Sequence, residues 1–398
     1  MKRCRPLGAL IQHRAKHHRY PRNAPKTTCA ASTKKTEIGL EEALVPEKIL
    51  VPSKMTAAVL YGSEDLRIEQ IEVPALALDE VLLRVRLALT DGTDLKVWKR
   101  GYHAMMIQPP AVFGHEVVGE IVAMGKRVDA KWRLGTRVIA ANSAPCFRCY
   151  HCRRGQENLC EDLLFNNGAY AEYMRIPGRI VRENMLEVPH SVDDHSAALV
   201  EPLACVLRGI HEMEVRTGDT AAVIGCGPIG LKYVRMLSRR GVRVIALARR
   251  EAPLAIARRL GAAITINVTE VPDVVAAVRD LTEDKRGPDS VVEAAGNPAT
   301  WEQALKMVRR GGVVNFFSGL PTGTRVEIEP AMIHYSEIRM ISPFHHTPRF
   351  IREALEAVRR RDLSAEEFVT EEIRLEALPQ AFARMKSRSG EIKLAVRP

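Results

Sequence analysis

Two periods of apolar and polar positions divide the chain. Residues 55–60, 66–73 and 80–89 are rich in Val, Ile and Leu and partly alternate, with Gly62 and Pro74 between them. A period of two predicts strands. Val117–Met124 and Arg137–Ala141 add two more, separated by turn signals at Gly125 and Gly135. Short strands with frequent turns predict a small barrel-like domain.

From residue 220 onward the pattern changes. An apolar strand, Thr220–Ile224, runs into Gly225-Cys-Gly227-Pro-Ile-Gly230, and an apolar helix is expected over Ile229–Leu237. The expected elements then alternate: strands Val242–Leu247, Ala263–Asn267, Ser290–Ala294 and Gly312–Phe317, with helices Ala252–Leu260, Val271–Leu281 and Thr300–Val308 between them. That order predicts an α/β, doubly wound unit. A lone G-x-G-x-x-G is a weak signal. Between a buried strand and a helix it predicts a dinucleotide site formed by Gly225, Gly227, Pro228, Ile229 and Gly230, with the backbone N–H groups of the residues other than Pro228 approaching a pyrophosphate at the helix N-terminus. The second strand ends in Ala248-Arg249-Arg250, where an NAD enzyme usually places an acid for the ribose 2′-hydroxyl. Two guanidinium groups there favour a 2′-phosphate, hence NADP over NAD. The bland alternative is a solvated basic helix start.

Chemistry enters with the cysteines. Four of the eight fall in Cys146-x-x-Cys149-x-x-Cys152-x₇-Cys160. Four thiolates at that spacing can close a tetrahedron around Zn²⁺ with no open position, which predicts a structural zinc. A redox CxxC leaves the last two cysteines unexplained. Cys205 and Cys226 read as small buried residues. A second donor set precedes and follows the cluster: Asp91, after the strand ending at Leu89; His115 and Glu116, after Gly114; and Glu201, in Glu-Pro-Leu. Singly, each has an ordinary reading as a solvated acid or a core histidine. Jointly they are oxygen and nitrogen donors of the kind that hold a catalytic zinc with an open position.

Composition changes the picture little. The net charge of +11 comes mainly from residues 1–54, which hold 12 basic and 4 acidic residues; the other 344 carry a net of +3. Composition therefore gives no reason to expect a basic face for nucleic acid. No apolar run approaches the ~18 residues of a membrane span. Residues 1–54 are expected to stand outside the catalytic fold. They read as a disordered basic arm, an upstream extension ahead of a start at Met55, or a mitochondrial transit peptide; the first two readings place the protein in the cytoplasm.

Taken in order, Asp91-Gly-Thr-Asp-Leu-Lys96, Gly114-His-Glu116, the cysteine cluster, Gly168-Ala-Tyr-Ala-Glu-Tyr173, Glu201-Pro-Leu-Ala204, Gly225–Gly230, Glu293-Ala-Ala-Gly296 and Gly311-Gly312 resemble the zinc-dependent medium-chain dehydrogenase/reductase family. The resemblance runs from Met55 to Pro398. It implies a GroES-like β-rich catalytic domain split around a Rossmann domain: residues 55–201 and 344–398 around 202–343. It also implies Glu293 and Gly296 at the cofactor and a homodimer or homotetramer in which the last Rossmann strand, Ile338–Ile341, pairs across the interface. Thr93 is implied as the first proton relay, and Lys96 stands where many relatives carry the His that ends it. An ammonium only donates, so Lys96 is expected to position the ribose instead. The family most often has Cys where this chain has Asp91, as in some glucose dehydrogenases, and a harder donor predicts better tolerance of Mn²⁺ or Co²⁺. Glu116 and Glu201 need not ligate together. The implied reaction is hydride transfer between a secondary alcohol, polyol or sugar and NAD(P), with threonine or an amino alcohol as the alternative substrate. A non-catalytic nucleotide-binding scaffold is the alternative of another class. Paired His345 and His346 are expected either at the cofactor cleft or as satisfied interior residues.

Overall fold

The computed structural model describes residues 37–38, 50–103, 105–387 and 392–398. Within the first 54 residues, Glu37–Ile38 pairs antiparallel with Leu76–Ala77, and Lys54 already opens the first long strand. The remainder of that segment up to residue 49 lies outside the described residues.

The β-rich part is built on a seven-stranded sheet. Its path runs Met185–Glu187, Arg137–Ala140, Glu116–Met124, Val81–Leu89, Lys393–Arg397 and Val369–Arg374, and Tyr173–Ile176 also pairs with Val81–Leu89. Val81–Leu89 is central because it is almost wholly apolar; only Arg84 and Arg86 reach solvent. The C-terminal strands return to this sheet, with Ala395 opposite Leu89.

The second part is a six-stranded parallel sheet in the order Ile264–Asn267, Arg243–Ala248, Thr220–Ile224, Ser290–Glu293, Val313–Phe316 and Arg339–Ile341. The strand order reverses between Thr220–Ile224 and Ser290–Glu293, where open α/β sheets bind ligands. Burial on both faces explains the continuous apolar runs of the inner strands. The edge strand Arg339–Ile341 differs, since Arg339 and Met340 are exposed.

Three local features refine the expected elements. The Asp91–Lys96 stretch is the start of a helix, Gly92–Arg100. The helix expected from Val271 begins at Val274, because the Asp273 carboxylate caps it by accepting from the N–H groups of Val275 and Ala276. Glu201 lies in the first turn of a continuous helix, Val200–Met213, which runs on from the β-rich part. Pro202 is tolerated there because the first turn has no intrahelical partner for its missing N–H.

Candidate active site

Asp91 stands at a strand-to-helix junction with work for both carboxylate oxygens. As the N-cap of the Gly92–Arg100 helix, its Oδ1 accepts from the Asp94 N–H at 2.7 Å, and Asp94 returns the contact to the Asp91 N–H at 3.1 Å. This reciprocal box fixes the turn. Oδ2 is then left facing His115, 3.8 Å from Nε2. The half-buried Thr93 also hydrogen-bonds the Asp91 side chain.

His115 is oriented from behind. Its Nδ1 is 3.0 Å from Asp94 Oδ1, and a carboxylate can only accept, so Nδ1 carries a proton and Nε2 is the ring nitrogen left facing the cavity. Asp94 Oδ2 accepts from the Tyr170 hydroxyl at 2.6 Å. Burial works against a charge on His115, yet Asp94 and Asp91 hold its pKa well above the ordinary histidine value. Glu201 comes close enough for His115, Glu116 and Glu201 to present ligand atoms within 4.8 Å of one another. Burial raises the Glu201 carboxyl.

Glu116 has a prior engagement. It is fully buried, and both its oxygens accept from Lys393 Nζ, at 2.8 and 2.6 Å. Lys393 also donates to the Thr90 carbonyl at 2.7 Å. Burial pushes the Glu116 carboxyl above the usual carboxylate range, with Lys393 drawing it down. Four acids, Asp91, Asp94, Glu116 and Glu201, thus gather near two buried lysines, Lys393 and Lys232. A dication fits that excess of negative charge, and oxygen donors with one imidazole nitrogen suit zinc.

His345 and His346 are interior residues beside Glu201. His346 Nε2 lies 2.9 Å from Asn142 Oδ1 and 3.6 Å from Glu201 Oε1, and His345 Nε2 lies 2.6 Å from Ser143 Oγ. Burial drives both pKa values down, that of His345 to about 3, so both imidazoles are neutral.

The cysteine cluster forms its own site. The four sulfurs lie within 4.8 Å of one another, and Cys149 and Cys160 are 3.9 Å apart. A tetrahedron of ~2.3 Å Zn–S bonds has edges of about 3.8 Å, so the spacing fits the ion. Backbone N–H groups of Arg148 and Cys149 point at Cys146 Sγ, and that of Cys146 at Cys160 Sγ. Such donors draw the Cys149 thiol down to about 6, whereas burial pushes Cys152 up to about 12.

The dinucleotide loop opens on a cavity of about 520 Å³ lined by Gly225, Gly227, Ala248, Arg249, Arg250 and Gly296, among others. Gly230 allows helix and loop to touch: a Cβ there would lie 1.8 Å from the Gly225 carbonyl oxygen. At Gly227 a Cβ would meet nothing within 4 Å, so the space above it is open to a ligand. Pro228 and Ile229 instead line a smaller cavity of about 90 Å³, shared with Asp91, Glu116 and Lys393. The two cavities meet at Gly227, which joins nucleotide loop to acid cluster.

Glu293 lies behind this wall and does not line the nucleotide cavity. Its Oε1 accepts from the N–H groups of Ala295 and Gly296 and from the Thr300 hydroxyl, at 2.8–2.9 Å, which staples the loop carrying Gly296. Lys96 is exposed on the facing helix, and its charge is felt at Glu293. Reading the sequence by motif missed Asp94, Tyr170, Thr90 and Lys393. The spacing Asp91-x-x-Asp94 was a legible capping signal; the others had no local one.

Comparison with known proteins now decides the family. Residues 77–186 match the alcohol dehydrogenase GroES-like domain, and residues 228–360 match the zinc-binding dehydrogenase model. The sorbitol dehydrogenase of Bacillus subtilis is 31% identical over 357 residues, covering 87% of this chain and 98% of that protein. The chain belongs to the zinc-dependent medium-chain dehydrogenase/reductase family. The L-threonine 3-dehydrogenase of Caldanaerobacter subterraneus is 34% identical over 275 residues, covering 67% of this chain and 76% of the relative. A zinc-binding dehydrogenase of Sinorhizobium meliloti, solved bound to NADP, superposes with a TM-score of 0.80 at 29% identity, covering 87% of this chain and all of that one. This medium-chain dehydrogenase is a zinc- and NAD(P)-dependent oxidoreductase acting on small alcohols. Among its described residues, no helix is long and apolar enough to cross a membrane.

Proposed function

We propose that the protein oxidises a polyol or secondary alcohol with NADP, using one catalytic zinc held by Asp91, His115 and Glu201, and one structural zinc held by Cys146, Cys149, Cys152 and Cys160. Glu116 is a reserve ligand, because taking it means releasing Lys393. The observation that carries this reading is the meeting of the Asp91, Glu116 and Lys393 side of the acid cluster with the dinucleotide loop at Gly227. Bound zinc supplies a Lewis acid, and the nicotinamide supplies a hydride acceptor.

The chain's own residues do the rest. Asp94 fixes the His115 tautomer. Lys393 holds Glu116 in place. Thr93, already bonded to Asp91, is the first hydroxyl able to pass a proton outward, and Lys96 meets the ribose. Arg249 and Arg250 take the 2′-phosphate. Catalytic segments 55–201 and 344–398 flank the dinucleotide domain, 202–343. The exposed Arg339–Ile341 edge supports a dimer through strand pairing, and the thiolate-rich zinc loop supports a reducing, cytoplasmic setting.

Metal analysis with a substrate panel tests this. About two zinc per chain, with NADP-linked oxidation of polyols ahead of L-threonine, is the expected result. A single zinc, or turnover confined to amino alcohols, overturns it.

A further inference from the structure

A third cavity, of about 560 Å³, is lined by three helices and the turns that follow them: Val200–Met213, Pro228–Ser238 and Pro348–Arg359. Its lining shares no residue with the nucleotide cavity or the acid cluster. The floor is apolar, made by Leu207, Met236 and Ala357, all buried. The wall carries Arg239, Arg240, Arg352 and Arg360 with Glu353, Glu356 and Asp362.

The wall's charges cancel only in part within it. Asp362 is gripped by Arg239 at 3.0 Å and by Arg360 at 2.9 Å. Glu356 is held by Arg359 at 2.7 and 2.8 Å, with the wall's Arg360 also at 3.5 Å, and Glu353 by Arg349 at 2.7 Å; Arg359 and Arg349 lie outside the lining. Each wall carboxylate therefore has its own cation. Arg240 donates to the Met236 carbonyl at 3.0 Å, closing the Pro228–Ser238 helix, and forms no ion pair among the described residues. Arg352, from a different helix, has neither hydrogen bond nor ion pair among them. Burial works against the Arg240 charge, and Glu353 and Asp362 offset it only in part. A guanidinium in that position gains from a further anion.

We propose that this cavity binds a small organic phosphate, with the phosphate between Arg240 and Arg352 and the carbon skeleton over Leu207, Met236 and Ala357. Planar guanidinium forks suit phosphate oxygens. The apolar floor suits a carbon skeleton, and the volume lies in the usual range for small-ligand sites. Because one wall is the dinucleotide helix and another carries Glu201, an occupant ties together the helices that support both halves of the active site.

Calorimetric titration of the zinc-loaded full chain with glycerophosphate tests the proposal, at about 150 mM salt to suppress loose surface binding and with NADP saturating the nucleotide cavity. Saturable one-to-one binding is expected, tighter than that of inorganic phosphate, and weakened about tenfold or more in R240Q/R352Q. R352Q alone should weaken it several-fold; since Arg352 makes no internal bond, that variant keeps the fold intact. Displacement by NADP, equal binding of inorganic phosphate, undiminished binding in R352Q and the double variant, or no saturable heat would each overturn it.

Discussion

Replacing Lys232 by Met tests what a buried ammonium costs beneath the dinucleotide loop. Lys232 is fully buried in the Pro228–Ser238 helix. Among the described residues its Nζ reaches one acceptor, the Pro228 carbonyl at 3.4 Å, and lies 4.8 Å from the centroid of the Phe368 ring. Glu116, Asp91 and Glu201 favour its charge but are outweighed. Burial, seconded by Lys393, lowers its pKa from 10.5 to about 7. At ~1.4 kcal/mol per pKa unit, holding the charged form inside costs about 5 kcal/mol. The ring contact and the long hydrogen bond return about 1–2 kcal/mol of that. Met keeps the unbranched stem and drops the charge. Lys232→Met is therefore expected to stabilise the protein by about 3 kcal/mol below pH 7.

The sign of the pH dependence follows from the lowered pKa. Between about pH 7 and 10 the unfolded chain holds a proton on this lysine that the folded chain has released, so the wild-type fold gains stability as pH rises through that window. The advantage of Met is largest at low pH and shrinks by about 2–3 kcal/mol by pH 9. Urea unfolding of both zinc-loaded proteins across that range reads the difference, since titrating groups remote from Lys232 cancel between them. A variant less stable than wild type at about pH 6, or an advantage that does not change with pH, refutes the reasoning.

Three further outcomes are expected. Lys393→Met leaves Glu116 buried without its cation and should cost about 3–5 kcal/mol in urea melts, partly recovered in K393M/E116Q; a silent single variant would sink the pairing argument. Cys149→Ser should remove one zinc per chain and lower the melting temperature by destabilising the 146–160 loop; unchanged metal content counts against the structural site. Arg249→Ala should raise KM for NADP about tenfold or more and leave KM for NAD nearly unchanged, with parallel losses arguing against a 2′-phosphate contact.

How much of this was legible depended on whether the signal was local. Periodicity is a property of neighbouring residues, so the strand-helix alternation after Thr220 and the strand Val81–Leu89 could be read directly. The zinc loop was legible because its donors fall within 15 residues. The donors of the candidate metal site were legible as residue types, but their partners were not. Glu116 looks like a ligand until Lys393, 277 positions away, is found on both its oxygens. In Ile392-Lys-Leu-Ala-Val396 the lysine reads as the solvated position of an edge strand. It is instead interior, because Lys393–Arg397 is clamped between Val81–Leu89 and Val369–Arg374, and the Thr90 carbonyl and Glu116 turn a lone charge into a tolerated one. The same contrast separates the two buried lysines. Lys393 is answered by a carboxylate at 2.6 Å and belongs to the site's architecture. Lys232, answered by a carbonyl at 3.4 Å, carries its charge at the fold's expense. Opposite stability changes on replacing each by Met follow from that difference in partners, and from nothing in the local sequence around them.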